Sequence, residues 1–249
     1  MIFSFSKFAI EKLKFLPRKQ RGILKFNKYN IEYIDPLSLY YEYKDIFRRK
    51  IYHFNTRKLS PFIIDAGGYI GVSTLYFKSI YPQACIIIFE PDLDIFSILK
   101  RNIEINNFRK IKLINAGLGK INKSIDFYSD GDDGGSMFKI SNNKKVSKIR
   151  IVKLSSYINR PVDLLKMNIE GAEGEVFEEI EDKLHFVKEI IFEYHAFDNL
   201  PQNLGKILTI LDRNSFRYII TNAVGNKINT PFHLPKKYQY FNLIYAKQI

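Results

Sequence analysis

Cysteine occurs once in the 249 residues, at Cys85, so the chain can form no internal disulfide and no cysteine-based zinc site. That thiol lies in the apolar run Ala84-Cys85-Ile86-Ile87-Ile88, the setting of an inert buried side chain. No stretch approaches the roughly 18 uninterrupted apolar residues of a spanning helix. The N-terminus has neither the apolar core nor the small-residue cleavage site of a secretory signal, so a reducing, cytoplasmic setting is expected. Acidic residues are scarce, 26 against 39 Lys and Arg, which leaves a formal charge of +13. With 46% hydrophobic and 26% charged residues, the composition excludes wholesale disorder and predicts a core large enough to need no staples.

The positive charge is clustered. Residues 1–28 hold eight Lys or Arg and one acid, Glu11, and Lys139–Lys153 holds six basic residues and no acid. Localised charge points to an anionic neighbour: a membrane surface, a phosphorylated substrate or nucleic acid. The opening stretch MIFSFSKFAIEKLKFL fits an amphipathic helix stopped by Pro17, with Ile2, Phe5, Ala9, Leu13 and Leu16 on one face and Lys7, Glu11 and Lys14 broadly opposite. Such a stripe suits packing on its own chain, and its Phe with Lys and Arg also suits peripheral membrane contact through residues 1–30. Residues 1–58 are therefore expected to be a basic, aromatic, helical lead-in that covers part of the core or site, with one domain over 59–249.

From Pro61 apolar runs alternate with helical stretches. Strands are predicted at Phe62–Ile64, Cys85–Phe89, Ile111–Ile114, Val162–Met167 and Glu189–Phe192, and helices at 72–79, 94–106, 171–182 and 204–214. Phe216–Ile220 and Phe241–Ala246 read as a closing antiparallel pair. Runs that are apolar throughout imply an α/β fold, a mostly parallel sheet with helices on both faces. Residues 124–154 interrupt the alternation. There Ile125–Tyr128 and Ile149–Val152 read as extra strands around the loop Asp130–Ser136, a candidate lid over the acceptor.

The strongest local signal is Asp65-Ala66-Gly67-Gly68-Tyr69-Ile70-Gly71 between the first core strand and its helix. Gly67 and Gly68 permit a tight turn and close approach to a ligand, and Gly71 lets the helix pack on the sheet. Glu90-Pro91 ends the next strand, where an acid can reach the two hydroxyls of a ribose. The loop lacks G-x-G-x-x-G and any P-loop Gly-Lys-Ser/Thr, which disfavours pyrophosphate. It suits S-adenosylmethionine, with a nicotinamide dinucleotide as the alternative. Asp65 would lie near the aminoacyl tail and Asn115-Ala116 near the adenine edge.

The same blocks, with Asn106-Asn107, Gly134-Gly135-Ser136, Leu165-Lys166-Met167-Asn168-Ile169-Glu170-Gly171-Ala172-Glu173 and Phe192-Glu193-Tyr194-His195, resemble the FkbM family of S-adenosylmethionine-dependent methyltransferases over roughly residues 52–246. The resemblance implies a Rossmann-like class I methyltransferase fold with a seven-stranded sheet, S-adenosylmethionine as cofactor, and methyl transfer as the reaction. It leaves the acceptor broad. Tyr69 stands where the family usually has Asn, and Asn168 where Asp is commoner.

Methyl transfer from a sulfonium is an in-line displacement, so the enzyme must align a nucleophile and receive its proton. Lys166, Asn168 and Glu170 at the end of the fourth core strand, and Glu193 and His195 at the end of the fifth, are the candidates. Glu170 and His195 are expected to handle the proton, and Lys166 and Asn168 to orient the acceptor or the carboxylates. No spacing demands a metal. The expected reaction is O-methylation of a small-molecule, sugar, glycan or glycolipid-like acceptor, with an anionic one suited to the basic run after the loop. The charge allows an RNA substrate, but Lys-Asp-Lys-Glu and Asn/Asp-Pro-Pro-aromatic sets are absent, so nucleic acid is disfavoured. A non-catalytic cofactor-fold subunit is the reading that Tyr69 and Asn168 would favour.

Overall fold

A computed structural model describes residues 9–129, 145–197, 201–222 and 239–249. Within them a seven-stranded sheet is built from β3 (Phe62–Ala66), β4 (Cys85–Phe89), β5 (Ile111–Ile114), β9 (Val162–Met167), β10 (Val187–Phe197), β11 (Phe216–Asn222) and β12 (Gln239–Gln248). Its order is β11-β12-β10-β9-β3-β4-β5. Strands β5, β4, β3, β9 and β10 run parallel, and β12 lies antiparallel between β10 and β11. The chain thus starts the sheet in the middle, builds to one edge and returns to build the other. Such a reversal opens a crevice beyond the carboxyl ends of β3 and β9, where open α/β sheets hold their ligands.

The helices cover both faces because the strands are apolar on both. α1 (Pro36–Tyr43), α2 (Val72–Ile80) and α3 (Leu93–Ile105) accompany the face that carries Ile63, Leu164, Ile191 and Leu243. α4 (Glu173–Ile180) and α5 (Leu204–Arg213) accompany the face of Ile64, Leu165, Phe192 and Ile244. On the first face the same alternation places Asp65, Lys166, Glu193 and His195 in line toward the carboxyl edge. Polar groups there interrupt an otherwise apolar layer. Residues 117–118, 123–129 and 145–152 form a small second sheet, with β7 (Lys123–Ser129) antiparallel to β8 (Lys145–Val152) and β6 (Gly117–Leu118) parallel to β8. The loop 130–136, its Gly134-Gly135-Ser136 block, and most of the basic run before β8 lie outside the described residues, as do residues 1–8.

The lead-in is less helical than its composition suggests. Residues 9–12 are helical and close in a 3-10 turn, Leu13–Phe15, but β1 (Gly22–Phe26) and β2 (Tyr29–Tyr33) then make an antiparallel hairpin. Asn27 takes a positive φ of 52° in its two-residue turn, the chemistry that such a turn demands. The expected stripe is only partly right: Leu13 is buried, but Leu16 points outward. Ile31, Tyr33, Leu39, Tyr52 and Phe54 share one core with Ile63, Leu75 and Ile98, so the lead-in is packed against the sheet-covering helices.

The hairpin is held by side-chain amides on α3. Asn102 Oδ1 accepts from Glu32 N–H at 2.7 Å, while its Nδ2 donates to the carbonyls of Glu32 and Ile70 at 2.9 and 2.8 Å. One turn on, Asn106 repeats the pattern on Asn30. These amides satisfy backbone groups that would otherwise face a partner-less strand edge. Asn102→Ala should therefore lower unfolding free energy by about 3 kcal/mol, read as a fall in denaturant midpoint, because three backbone groups, one buried and two part-buried, lose their partner together.

Candidate active site

The cofactor loop hangs between two strands. Gly67 and Gly68 both donate N–H to the carbonyl of Phe89 at the end of β4, at 3.0 and 2.9 Å. On the other side Asn168 N–H donates to Ala66 at 2.9 Å. Gly67 has φ 85°, and a Cβ there would fall 1.8 Å from the carbonyl oxygen of Asn168, so only glycine fits. Tyr69 takes φ 46°, a left-handed conformation that a bulky residue adopts at a cost. The loop therefore keeps its turn with tyrosine in place of the family's usual Asn.

Glu90 faces this loop. Its Oε2 accepts from Tyr69 N–H at 2.9 Å and its Oε1 from Asp92 N–H at 3.0 Å. Burial pushes its carboxyl up to about 7 against the two backbone donors. A buried carboxylate with two donors has lone pairs to spare, and the vicinal hydroxyls of a ribose supply the matching donors. The site residues fit a nucleoside on that ground. Pro91 and Asn115 shape the wall beside it: Asn115 Nδ2 donates to the carbonyls of Glu90 and Pro91 at 2.9 and 3.1 Å. This amide grips the backbone of the acid's own turn, rather than only facing the adenine edge as the sequence suggests. Ala116 follows it, fully buried.

Two expected roles look different in three dimensions. Asp65 is fully buried and both oxygens are engaged, Oδ2 by the Ser73 hydroxyl at 2.6 Å and Oδ1 by Lys166 Nζ at 3.0 Å. It braces the loop from beneath. Lys166 is buried with it and donates to the carbonyl of Gly67 at 2.5 Å. Parallel pairing sets Asp65 directly beside Lys166, so the cation meets the loop instead of pointing toward an acceptor. The sequence placed Lys166 among Glu170 and Glu173 because they are neighbours in the chain. The strand carries the lysine to the opposite partner.

The remaining candidates converge at the ends of β9 and β10. His195 Nδ1 is 2.9 Å from Glu173 Oε1, and Nε2 is 3.4 Å from Glu170 Oε1. Burial alone would push the imidazole down, but the carboxylates of Glu170 and Glu173 outweigh it and hold it at about 10. At neutral pH the ring is an imidazolium with no lone pair to offer. Glu170 sits at φ 56° and Gly171 at φ 104°, a turn that aims Glu170 back at the ring. Its side chain keeps 19% of its exposure, against 1% for Glu173. Glu173 also accepts from Gly171 N–H at 3.1 Å and serves as the inner brace.

Glu193 is held by a residue that sequence reasoning missed. The Tyr52 hydroxyl donates to its Oε1 at 2.5 Å across 141 residues. Burial, with Glu193 beside it, keeps the Tyr52 phenol protonated. Lys166 Nζ also lies 5.3 Å from the Tyr52 ring centroid. The only signal in the sequence was the tyrosine-rich character of the lead-in. Among the described residues no group of three or more His, Cys, Asp or Glu is arranged to hold a metal ion.

A glycine loop after the first core strand, a ribose-reading acid after the second and a polar cluster after the fourth and fifth define a class I methyltransferase. Comparison with known proteins agrees. The FkbM methyltransferase domain matches residues 65–218, and the chain belongs to that family. It is 31% identical over 172 residues to Methyltransferase 1 of Beauveria bassiana, covering 59% of this chain and 69% of that protein. It is 26% identical over 197 residues to Methyltransferase sdnD of Sordaria araneosa, covering 64% and 76%. Among solved structures, the FkbM methyltransferase of Methylobacillus flagellatus superposes with a TM-score of 0.52 at 16% identity, over 84% of this chain and 50% of that one. TYW2 of M. jannaschii, solved in complex with AdoMet, superposes with a TM-score of 0.50 at 11% identity, over 94% and 89%. The protein is an S-adenosylmethionine-dependent methyltransferase, EC 2.1.1.-.

The Glu90 carboxyl has a pH signature. Its value in the folded chain, about 7, lies above the ordinary 4.5, so ionising it without a ligand costs stability as pH rises through that window. Hydroxyl donors favour the ionised form, so binding is linked to loss of its proton. Calorimetric titration with S-adenosylhomocysteine should show constant affinity above pH 7.5, falling by up to about tenfold per unit below 7, and weak, pH-independent affinity for Glu90→Gln. A wild-type affinity that is flat from pH 5.5 to 8.5 would contradict this role.

Proposed function

We infer that the protein methylates a hydroxyl oxygen of a sugar, glycan or glycolipid-like acceptor, with Glu170 as the proton acceptor. The observation that carries this reading is His195 set between two carboxylates, its Nε2 3.4 Å from Glu170 and its Nδ1 2.9 Å from Glu173. A carboxylate held at the site edge and partly open can accept a hydroxyl's hydrogen bond and then its proton, while the imidazole behind it fixes its orientation and lowers its basicity when charged. In this reading His195 acts as a positioning group for Glu170 and Glu173, where the sequence suggested that it shares the proton.

S-adenosylmethionine, when bound, supplies a methyl group already activated on a sulfonium. The residues that would hold it are Gly67, Gly68, Tyr69 and Gly71 of the loop, Glu90 for the ribose, and Pro91, Asn115 and Ala116 along the wall. Asp65 and Lys166 keep the loop in shape from below. Beyond them Glu193, set by Tyr52, and Asn168 offer acceptor and amide groups that can orient a polyhydroxyl substrate through several hydrogen bonds. A site lined by carboxylates suits neutral hydroxyl-rich acceptors, because each carboxylate accepts from two hydroxyls.

The test is transfer of label from methyl-labelled donor to fractionated cell-envelope glycans, with the RNA fraction in parallel and Glu90→Ala as the inactive control. Label should enter the glycan fraction. Glu170→Gln should lower kcat at least about a hundredfold while leaving S-adenosylhomocysteine affinity within a factor of two. Label confined to RNA, or full turnover by Glu170→Gln, would overturn the assignment.

A further inference from the structure

The methyltransferase site uses nothing from residues 12–21, yet this segment is the most unusual part of the described surface. Its base is firmly packed. Ile10 and Leu13 are buried in the core, Lys14 and Arg48 both pair with Glu11 at 2.7 and 2.8 Å, and Arg18 pairs with the buried Asp35 at 2.8 Å. Asp35 also caps α1, and its carboxyl is held at about 2; burial opposes this, but Arg18 and the backbone donors of Lys19 and Ser38 prevail. The turn is therefore pinned at both ends.

On that pinned turn two large apolar side chains face outward. Phe15 is 83% exposed and Leu16 is 38% exposed, followed by the exposed Pro17. Tyr41 on α1, 50% exposed, belongs to the same patch: Lys14 Nζ lies 5.9 Å from the Phe15 ring and 4.9 Å from the Tyr40 ring, and Tyr40 packs 5.3 Å from Tyr41. Lys44 Nζ stands 5.9 Å from the Tyr41 ring. Along the chain, residues 9–28 contain seven Lys or Arg and one acid, Glu11, with Lys14 beside the Phe15 ring. Ile23 and Lys25 project from the outward side of the hairpin that follows.

We propose that this face docks on an anionic lipid bilayer, with Phe15 and Leu16 inserted below the headgroups and the surrounding cations on the lipid phosphates. Charge decides between occupants. A protein partner that covers Phe15 and Leu16 would have to bury the basic side chains of this segment or match them with acids. A bilayer surface accepts apolar tips and cations at different depths, the aliphatic stems of Lys and Arg bridging the two. Each basic side chain near such a surface adds to binding and each apolar tip anchors it, a pairing that neither feature needs for folding. Exposed aromatic rings edged by lysines, as at Phe15 and Tyr41, suit the interfacial layer for the same reason. The inference stands apart from the choice of acceptor, although it would bring the site to a lipid-linked one.

The experiment is flotation of the full chain with vesicles of phosphatidylcholine alone or mixed with phosphatidylglycerol. Binding should require phosphatidylglycerol and weaken with salt. Phe15→Ser/Leu16→Ser should lower the partition coefficient about tenfold or more, and Arg21→Glu/Lys25→Glu should lower it similarly. Both variants should bind S-adenosylhomocysteine like the wild type, which shows them folded and separates this result from the fate of the catalytic reading. Equal binding to both vesicle types, or no loss in Phe15→Ser/Leu16→Ser, would overturn the proposal. So would tighter binding to single-stranded RNA than to the anionic vesicles at equal salt, which would make the face a nucleic-acid surface.

Discussion

The ion pair between Asp65 and Lys166, with the carbonyl of Gly67 on the same ammonium, is the contact on which the site depends. It joins the strand that leads into the cofactor loop to the strand that leads into the acceptor cluster, at the one register where the two lie side by side. Taking two charges out of water costs several kcal/mol, and attraction repays this only when the remaining hydrogen-bonding capacity is filled. Most of it is filled here: Ser73 donates to one carboxylate oxygen and the loop carbonyl takes an ammonium proton, while Asp65 Oδ1 has the ammonium 3.0 Å away but no hydrogen bond of its own. A loop with three positive-φ residues among Gly67, Tyr69 and Gly71 has little shape of its own, and this buried cation defines one.

The site thus contains two buried cations with different work. Lys166 faces backbone and one carboxylate and fixes geometry. His195 faces two carboxylates that hold its pKa up, and it orders Glu170 and Glu173. Tyr52 performs the same service for Glu193 from the lead-in. Tyr52, which precedes the matched family domain at residues 65–218, is therefore part of the site's construction.

Much of this was legible in the chain. Apolar runs bounded by turn residues located each strand of the large sheet, because a strand buried on both faces has no alternative composition. Glycine spacing and the acid 25 residues after Asp65 located the cofactor edge for the same kind of reason: few residues can occupy a tight turn that leads to a ligand. The hairpin at 22–33 was missed because Lys25 and Lys28 sit in a basic segment that reads as a helical surface, and the Asn27 turn was the overlooked signal. The partners of Lys166 and Tyr52 were beyond reach. They are set by strand register and by a contact across 141 residues, neither of which leaves a local pattern.

The most direct measurement is the affinity for S-adenosylhomocysteine of Lys166→Met and of Lys166→Met/Asp65→Asn, each with its thermal midpoint. Removing the lysine strands a buried carboxylate, so the single variant should lose both stability and, by about tenfold or more, affinity. The double variant should regain stability without regaining affinity, because the Gly67 carbonyl still lacks its donor. Wild-type affinity in either variant would show that the loop holds its shape without the cation, and would contradict the account.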